Sequence, residues 1–120
     1  MKIQYFSDLH LEFEDNLNWI DNNAIERVGD ILIIAGDLCP FVQLSRVLFK
    51  SEIADLCKGY KKVFWIPGNH EYYIFTHNYA ATRYEQPMKE IPNLFLVDNY
   101  TERIDRTQLI LCTMWSHIGR

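Results

Sequence analysis

Asp30-Ile31-Leu32-Ile33-Ile34-Ala35-Gly36-Asp37 is the stretch from which the fold can be read. Four large aliphatic side chains in unbroken succession suit a strand covered on both faces, the environment of a parallel sheet packed by helices. A hard ligand, Asp37, follows the run directly. The same arrangement occurs upstream, where Ile3 to Phe6 is followed by Asp8-Leu9-His10. It occurs again downstream, where Val63 to Ile66 is followed by Gly68-Asn69-His70-Glu71. Three strands that each end in carboxylate, imidazole or amide groups would set those groups along one edge of an open sheet, where α/β folds place their ligands.

Working outward, Lys2 to Phe6, Asp30 to Ala35 and Lys62 to Ile66 read as strands, and Leu44 to Tyr60 as a crossover helix stopped at Gly59. The polar stretch Glu12 to Asn23 reads as a surface loop that carries Trp19 and Ile20 back against the body. Asn78 to Glu90 is expected to be helical until Pro87 disturbs it, with Thr76 as N-cap. Leu94 to Val97, Tyr100 to Ile104 and Gln108 to Thr113 read as strands, with Asp105-Arg106-Thr107 turning between the last two. The expected class is α/β, a mixed β-sheet flanked by helices.

Each ligand patch alone has a bland explanation: Asp8 as a loop cap, Gly36-Asp37 as a turn, Gly68-Asn69 as a tight bend. In this order, however, they resemble the opening blocks of the calcineurin-like metallophosphoesterases, which read Asp-x-His, then Gly-Asp, then Gly-Asn-His followed by Asp or Glu. The motifs carry the resemblance from Met1 to about Glu71, and a compatible strand and helix pattern continues it to Arg120. It implies half of an α/β/β/α sandwich. The family's two later histidine blocks, the last being Gly-His-x-His, have no counterpart here, and Ser116-His117-Ile118-Gly119 does not match it. Residues 1–120 are therefore expected to form a single, incomplete domain, the N-terminal part of a longer one. On its own it would be inactive or weak, and open sheet surface would invite self-association.

Phosphate esters resist hydrolysis because water is a poor nucleophile and the anionic phosphoryl group repels hydroxide. Two divalent ions roughly 3.5 to 4 Å apart answer both difficulties by lowering the pKa of water and clamping the phosphoryl oxygens. Read as an extended segment, Asp8-Leu9-His10 projects both side chains to one side, toward a first ion. The resemblance makes Asp37 the carboxylate shared by both ions. Asn69 offers a neutral amide oxygen to the second. Manganese, iron and zinc all fit this nitrogen and oxygen set. By resemblance His70 is not a ligand but contacts substrate phosphate and protonates the leaving oxygen, with Glu71 orienting it from behind. Tyr72, directly after the third patch, and His117, close behind Trp115, are candidates for the substrate rim.

A chain of 120 residues with 48% hydrophobic content is one domain with room for a core. A net charge of −4 without a Lys/Arg cluster argues against a general nucleic-acid or membrane-surface binder, leaving a phosphoester small molecule or nucleotide as partner. Cys39, Cys57 and Cys112 form no Cys-x-x-Cys pair and read as reduced thiols. The first apolar run is short and ended by Asp8, so neither a signal peptide nor a membrane span is expected, and the cytoplasm is the expected location. The expected function is metal-dependent hydrolysis of a phosphomonoester or phosphodiester. The alternative is a non-catalytic binding scaffold of the same fold. A nucleotide-binding α/β domain without metal is weaker, because no Gly-rich phosphate loop is present.

Overall fold

The apolar runs pair as parallel neighbours. In the computed structural model, which describes residues 1–22, 25–73 and 89–116, four strands form one parallel sheet in the order β1-β2-β3-β4. They are β1 (Ile3–Phe6), β2 (Ile31–Ala35), β3 (Lys62–Ile66) and β4 (Leu94–Leu96). Phe6 pairs with Ile34 and Ala35 with Ile66, so the chain leaves β1, β2 and β3 along one edge. Strands β5 (Tyr100–Ile104) and β6 (Thr107–Leu111) form a separate antiparallel hairpin, turned at Asp105 with φ 54°. The parallel and antiparallel strands that the sequence suggests as one mixed sheet are thus two sheets in an α/β fold.

Side chains alternate across the strands and sort into two cores. On one face Leu32, Ile34, Val63 and Trp65 pack with Ile20, Phe49, Ile53 and Cys57 from the helical segments. On the other, Ile31, Phe64 and Ile66 meet Leu111, with Ile33, Ile104 and Leu109 packed against them. Both faces of β2 are therefore covered, which is why its apolar run is unbroken rather than alternating. The cover is incomplete at the margins: Tyr5 on β1 is 76% exposed and Ile110 on the hairpin 74%.

Helix boundaries depart from the sequence reading in two places. The stretch read as a loop from Glu12 to Asn23 contains helix α1 (Glu14–Asn22), with Ile20 buried and Leu17 packed on the core. Its apolar stripe is only these residues, so tertiary contact rather than periodicity makes it helical. Glu14 and Asp15 favour its positive N-terminal end. The expected crossover helix begins later, as α2 (Val47–Cys57), after a 3-10 turn at Phe41–Ser45. Arg46 separates the two with extended dihedrals of φ −87° and ψ 129°. The helix expected over Asn78 to Glu90, with its cap Thr76, lies outside the described residues apart from a turn at Lys89 and Glu90. Among the described residues no helix is long and apolar enough to cross a membrane. Cys39, Cys57 and Cys112 are all free thiols, the first two buried.

The loops at the sheet edge are gathered by one buried carboxylate. After β3 the chain enters a 3-10 turn, His70–Tyr72, in which Glu71 is fully buried. Its Oε1 accepts from the backbone N–H of Asp37 at 2.9 Å and of Gly68 at 3.0 Å. Its Oε2 accepts from Leu38 N–H at 3.1 Å and from the Trp65 indole at 2.8 Å. Burial pushes the Glu71 carboxyl above its ordinary range, although these four donors pull against the shift. An unpaired buried donor costs ~1–3 kcal/mol, so Glu71→Ala, which orphans four, is expected to lower stability by roughly 3–5 kcal/mol in urea denaturation. Glu71→Gln, which keeps one acceptor oxygen, should lose less. An unchanged midpoint in the alanine variant would show that the clamp bears no weight.

Candidate metal centre

Asp8 and His10 do not sit on an extended segment as the sequence reading supposed. Asp8 has φ 60°, His10 φ 46° and Asp37 φ 53°, all in the left-handed region, with Gly36 at φ 84°. Asp and His tolerate this region better than bulkier residues, yet each non-glycine instance costs ~1–3 kcal/mol and must be held by its surroundings. Backbone bonds do the holding. Asp8 N–H donates to Gly36 O at 3.0 Å, His10 N–H to Asp37 O at 3.0 Å and Leu11 N–H to Leu38 O at 2.8 Å. The loops after β1 and β2 are thus zipped together beyond the ends of their strands.

The loop after β3 closes against them through glycine. A Cβ on Gly36 would come within 3.1 Å of Gly68 Cα, and one on Gly68 would strike Asp37 Oδ1 and lie 2.9 Å from Asp37 N. Only because both side chains are absent can the β2 and β3 loops touch. The contact lets His70 N–H donate to Asp37 Oδ1 at 3.0 Å.

What converges at this edge is a set of acceptors. His10 Nε2 lies 3.6 Å from Asp8 Oδ1 and 3.8 Å from Asp37 Oδ2. The Asn69 amide nitrogen lies within donating distance of both oxygens of Asp37, at 3.3 and 3.2 Å. Ring nitrogens of His10 and His70 and an oxygen of Asp37 all fall within 4.8 Å of one another. Among the described residues no Lys or Arg forms an ion pair with Asp8 or Asp37.

His10 Nδ1 is bonded to Glu12 Oε1 at 3.0 Å, and its Nε2 faces the carboxylates of Asp8 and Asp37. A cation among these groups would be met by carboxylate oxygens and imidazole nitrogen. The donor set therefore fits a divalent metal. Burial pulls the His10 imidazole down, but the Glu12 hydrogen bond and the charges of Glu12, Asp37 and Asp8 together outweigh it and raise its pKa.

The edge thus brings together Asp8, His10, Asp37, Asn69 and His70 from three strands. Asp8 and Asn69 are exposed, with 62% of the Asp8 side chain accessible against 15% for Asp37. Glu71, expected to orient His70, instead turns into the core and holds the Asp37 and Gly68 backbone. Tyr72 is packed rather than on a rim, its ring against Phe41 at 5.4 Å and Trp115 at 6.2 Å, and burial pushes its hydroxyl up to about 12. His117 lies outside the described residues.

Glu12 Oε1 meets His70 Nδ1 at 2.9 Å, and Tyr73, which like Tyr72 directly follows the third patch, stacks on the ring at 4.3 Å with its hydroxyl 3.2 Å from Nε2. Glu12 is missed by the sequence reading, and the alternation Asp8-x-His10-x-Glu12 is the signal that could have found it.

The chain is similar to an uncharacterized protein of Acanthamoeba polyphaga mimivirus, 29% identical over 131 aligned positions covering 98% of this chain and 45% of that protein. Its fold is similar to that of the phosphopantetheinyl hydrolase of Mycobacterium tuberculosis, with a TM-score of 0.60 and 19% identity over 95% of this chain and 42% of that one. The chain thus spans less than half the length of either relative. The calcineurin-like phosphoesterase profile runs through all three ligand-bearing loops, over residues 1–113, and the chain belongs to that family.

Proposed function

We propose that this chain carries the first-ion half of a dinuclear phosphoesterase centre acting on a small phosphomonoester or phosphodiester, a nucleotide included. The observation that supports it best is the convergence of the Asp8, His10 and Asp37 side chains, with Asn69 beside Asp37, at an edge where among the described residues no Lys or Arg pairs with either aspartate. Asp8, His10 and Asp37 would hold one ion, and Asp37 with Asn69 would begin the shell of the other. Two divalent ions, manganese, iron or zinc, supply an activated water and Lewis acidity toward the phosphoryl oxygens.

The chain's own residues do the rest. Asp37 is fixed from both sides, its backbone N–H by Glu71 and its Oδ1 by His70 N–H, so its carboxylate is preset for two partners. His70 presents Nε2 beside the Tyr73 hydroxyl, and in its doubly protonated form would donate from Nε2 to a departing alkoxide. Substrate choice is open between the two ester classes. The name of the structural neighbour makes a phosphopantetheinyl ester one member of the panel to test. The three free thiols suit a reducing cytoplasm.

Purification without chelator is expected to yield bound metal, and manganese to support hydrolysis of a chromogenic aryl phosphodiester. Asp37→Ala should remove the metal. His70→Ala should leave metal bound and slow turnover by roughly a hundredfold or more. Equal loss of metal in both variants would refute the division of roles, and protein that neither binds metal nor turns over substrate would refute the function.

A further inference from the structure

Glu12 lies outside the ligand blocks, yet it joins two of them. Its Oε1 sits 3.0 Å from His10 Nδ1 and 2.9 Å from His70 Nδ1, two residues separated by the whole of β2, α2 and β3. Its Oε2 is buried and has no partner among the described residues. The contrast with Glu71 is informative, because that carboxylate spreads four backbone and indole donors over both oxygens. A carboxylate serving only to knit loops together would be expected to satisfy both atoms, since an unpaired buried oxygen costs stability. Glu12 concentrates both contacts on one oxygen. An ionised carboxylate can only accept, so both imidazoles must carry their proton at Nδ1.

We propose that Glu12 is a positioning residue that yokes His10 to His70 through a single oxygen, fixing both rings in the Nδ1-protonated form. His10 then has its Nε2 lone pair committed toward Asp8 and Asp37, and His70 has its Nε2 free to accept from the Tyr73 hydroxyl. The ring edges support the pairing, with centroids 4.4 Å apart at 72°. Asn16 adds to the same frame, its amide donating to His10 O at 3.1 Å and so anchoring α1 to the loop that bears Glu12. That the yoke joins an ion-holding arm to an arm that donates from Nε2 once that atom has taken up a proton rests on the function proposed above; the tautomers of the neutral rings do not.

The test is long-range 1H–15N spectroscopy of histidine-labelled, metal-free protein at mildly alkaline pH, alongside calorimetric titration with manganese. Both rings are expected to be protonated at Nδ1 in the wild type. Glu12→Leu, which keeps bulk and removes the acceptor, should lose that pattern in both rings at once and weaken manganese binding by about 10–100-fold. Glu12→Gln, whose amide oxygen can take both bonds, should recover the pattern and most of the affinity. Either wild-type ring protonated at Nε2 alone overturns the proposal, and this holds even if the leucine variant does not fold. So does a folded leucine variant with unchanged tautomers and affinity, or equal losses in the leucine and glutamine variants. None of these readouts needs turnover, so protein without phosphoesterase activity would count against the functional reading and leave the yoke standing.

Discussion

Everything at the sheet edge depends on the register of three parallel strands. Because Phe6 stands level with Ile34, and Ala35 with Ile66, the loops that follow begin at one height and meet within a few residues. A shift of one residue in either pairing would reverse the faces of a strand and carry its ligands away from the others. Covered on both sides by apolar side chains, β2 cannot make that shift without burying its own ends wrongly. The buried Glu71 then converts level strand ends into fixed loops, by binding donors from the β2 and β3 connections at once.

On that frame the chain gathers polar side chains in costly backbone conformations. Two carboxylates, an imidazole and an amide stand close together, and three of the residues involved sit in left-handed backbone. Strain of this kind persists where the surroundings over-determine it, and it concentrates at sites that bind or react. Here the surroundings are identifiable: a three-bond zipper between the β1 and β2 loops and a pair of glycines where β2 and β3 loops touch. Cohesion and strain are thus matched locally.

Much of this was legible in the sequence, and what was not has physical reasons. The strands at Ile31–Ala35 and Lys62–Ile66 announced themselves because a doubly covered strand needs an unbroken apolar run. The ligand residues stood directly after those runs, so their meeting at one edge followed. Helix α1 was hidden because two apolar contacts, Leu17 and Ile20, suffice for a helix that leans on a core. The left-handed turns at Asp8 and His10 were hidden because a residue's identity permits such a conformation without requiring it. The target of Glu71 was hidden because two of its donors, Asp37 and Leu38, are distant in the chain and met only through the fold.

The left-handed backbone at Asp8, His10 and Asp37 also bears on how such a chain evolves. Glycine relaxes all three positions, so a lineage released from binding metal gains stability by drifting toward it there. Decay of the activity and hardening of the scaffold would then advance together. In this chain the three positions hold aspartate and histidine in conformations that glycine would adopt at lower cost.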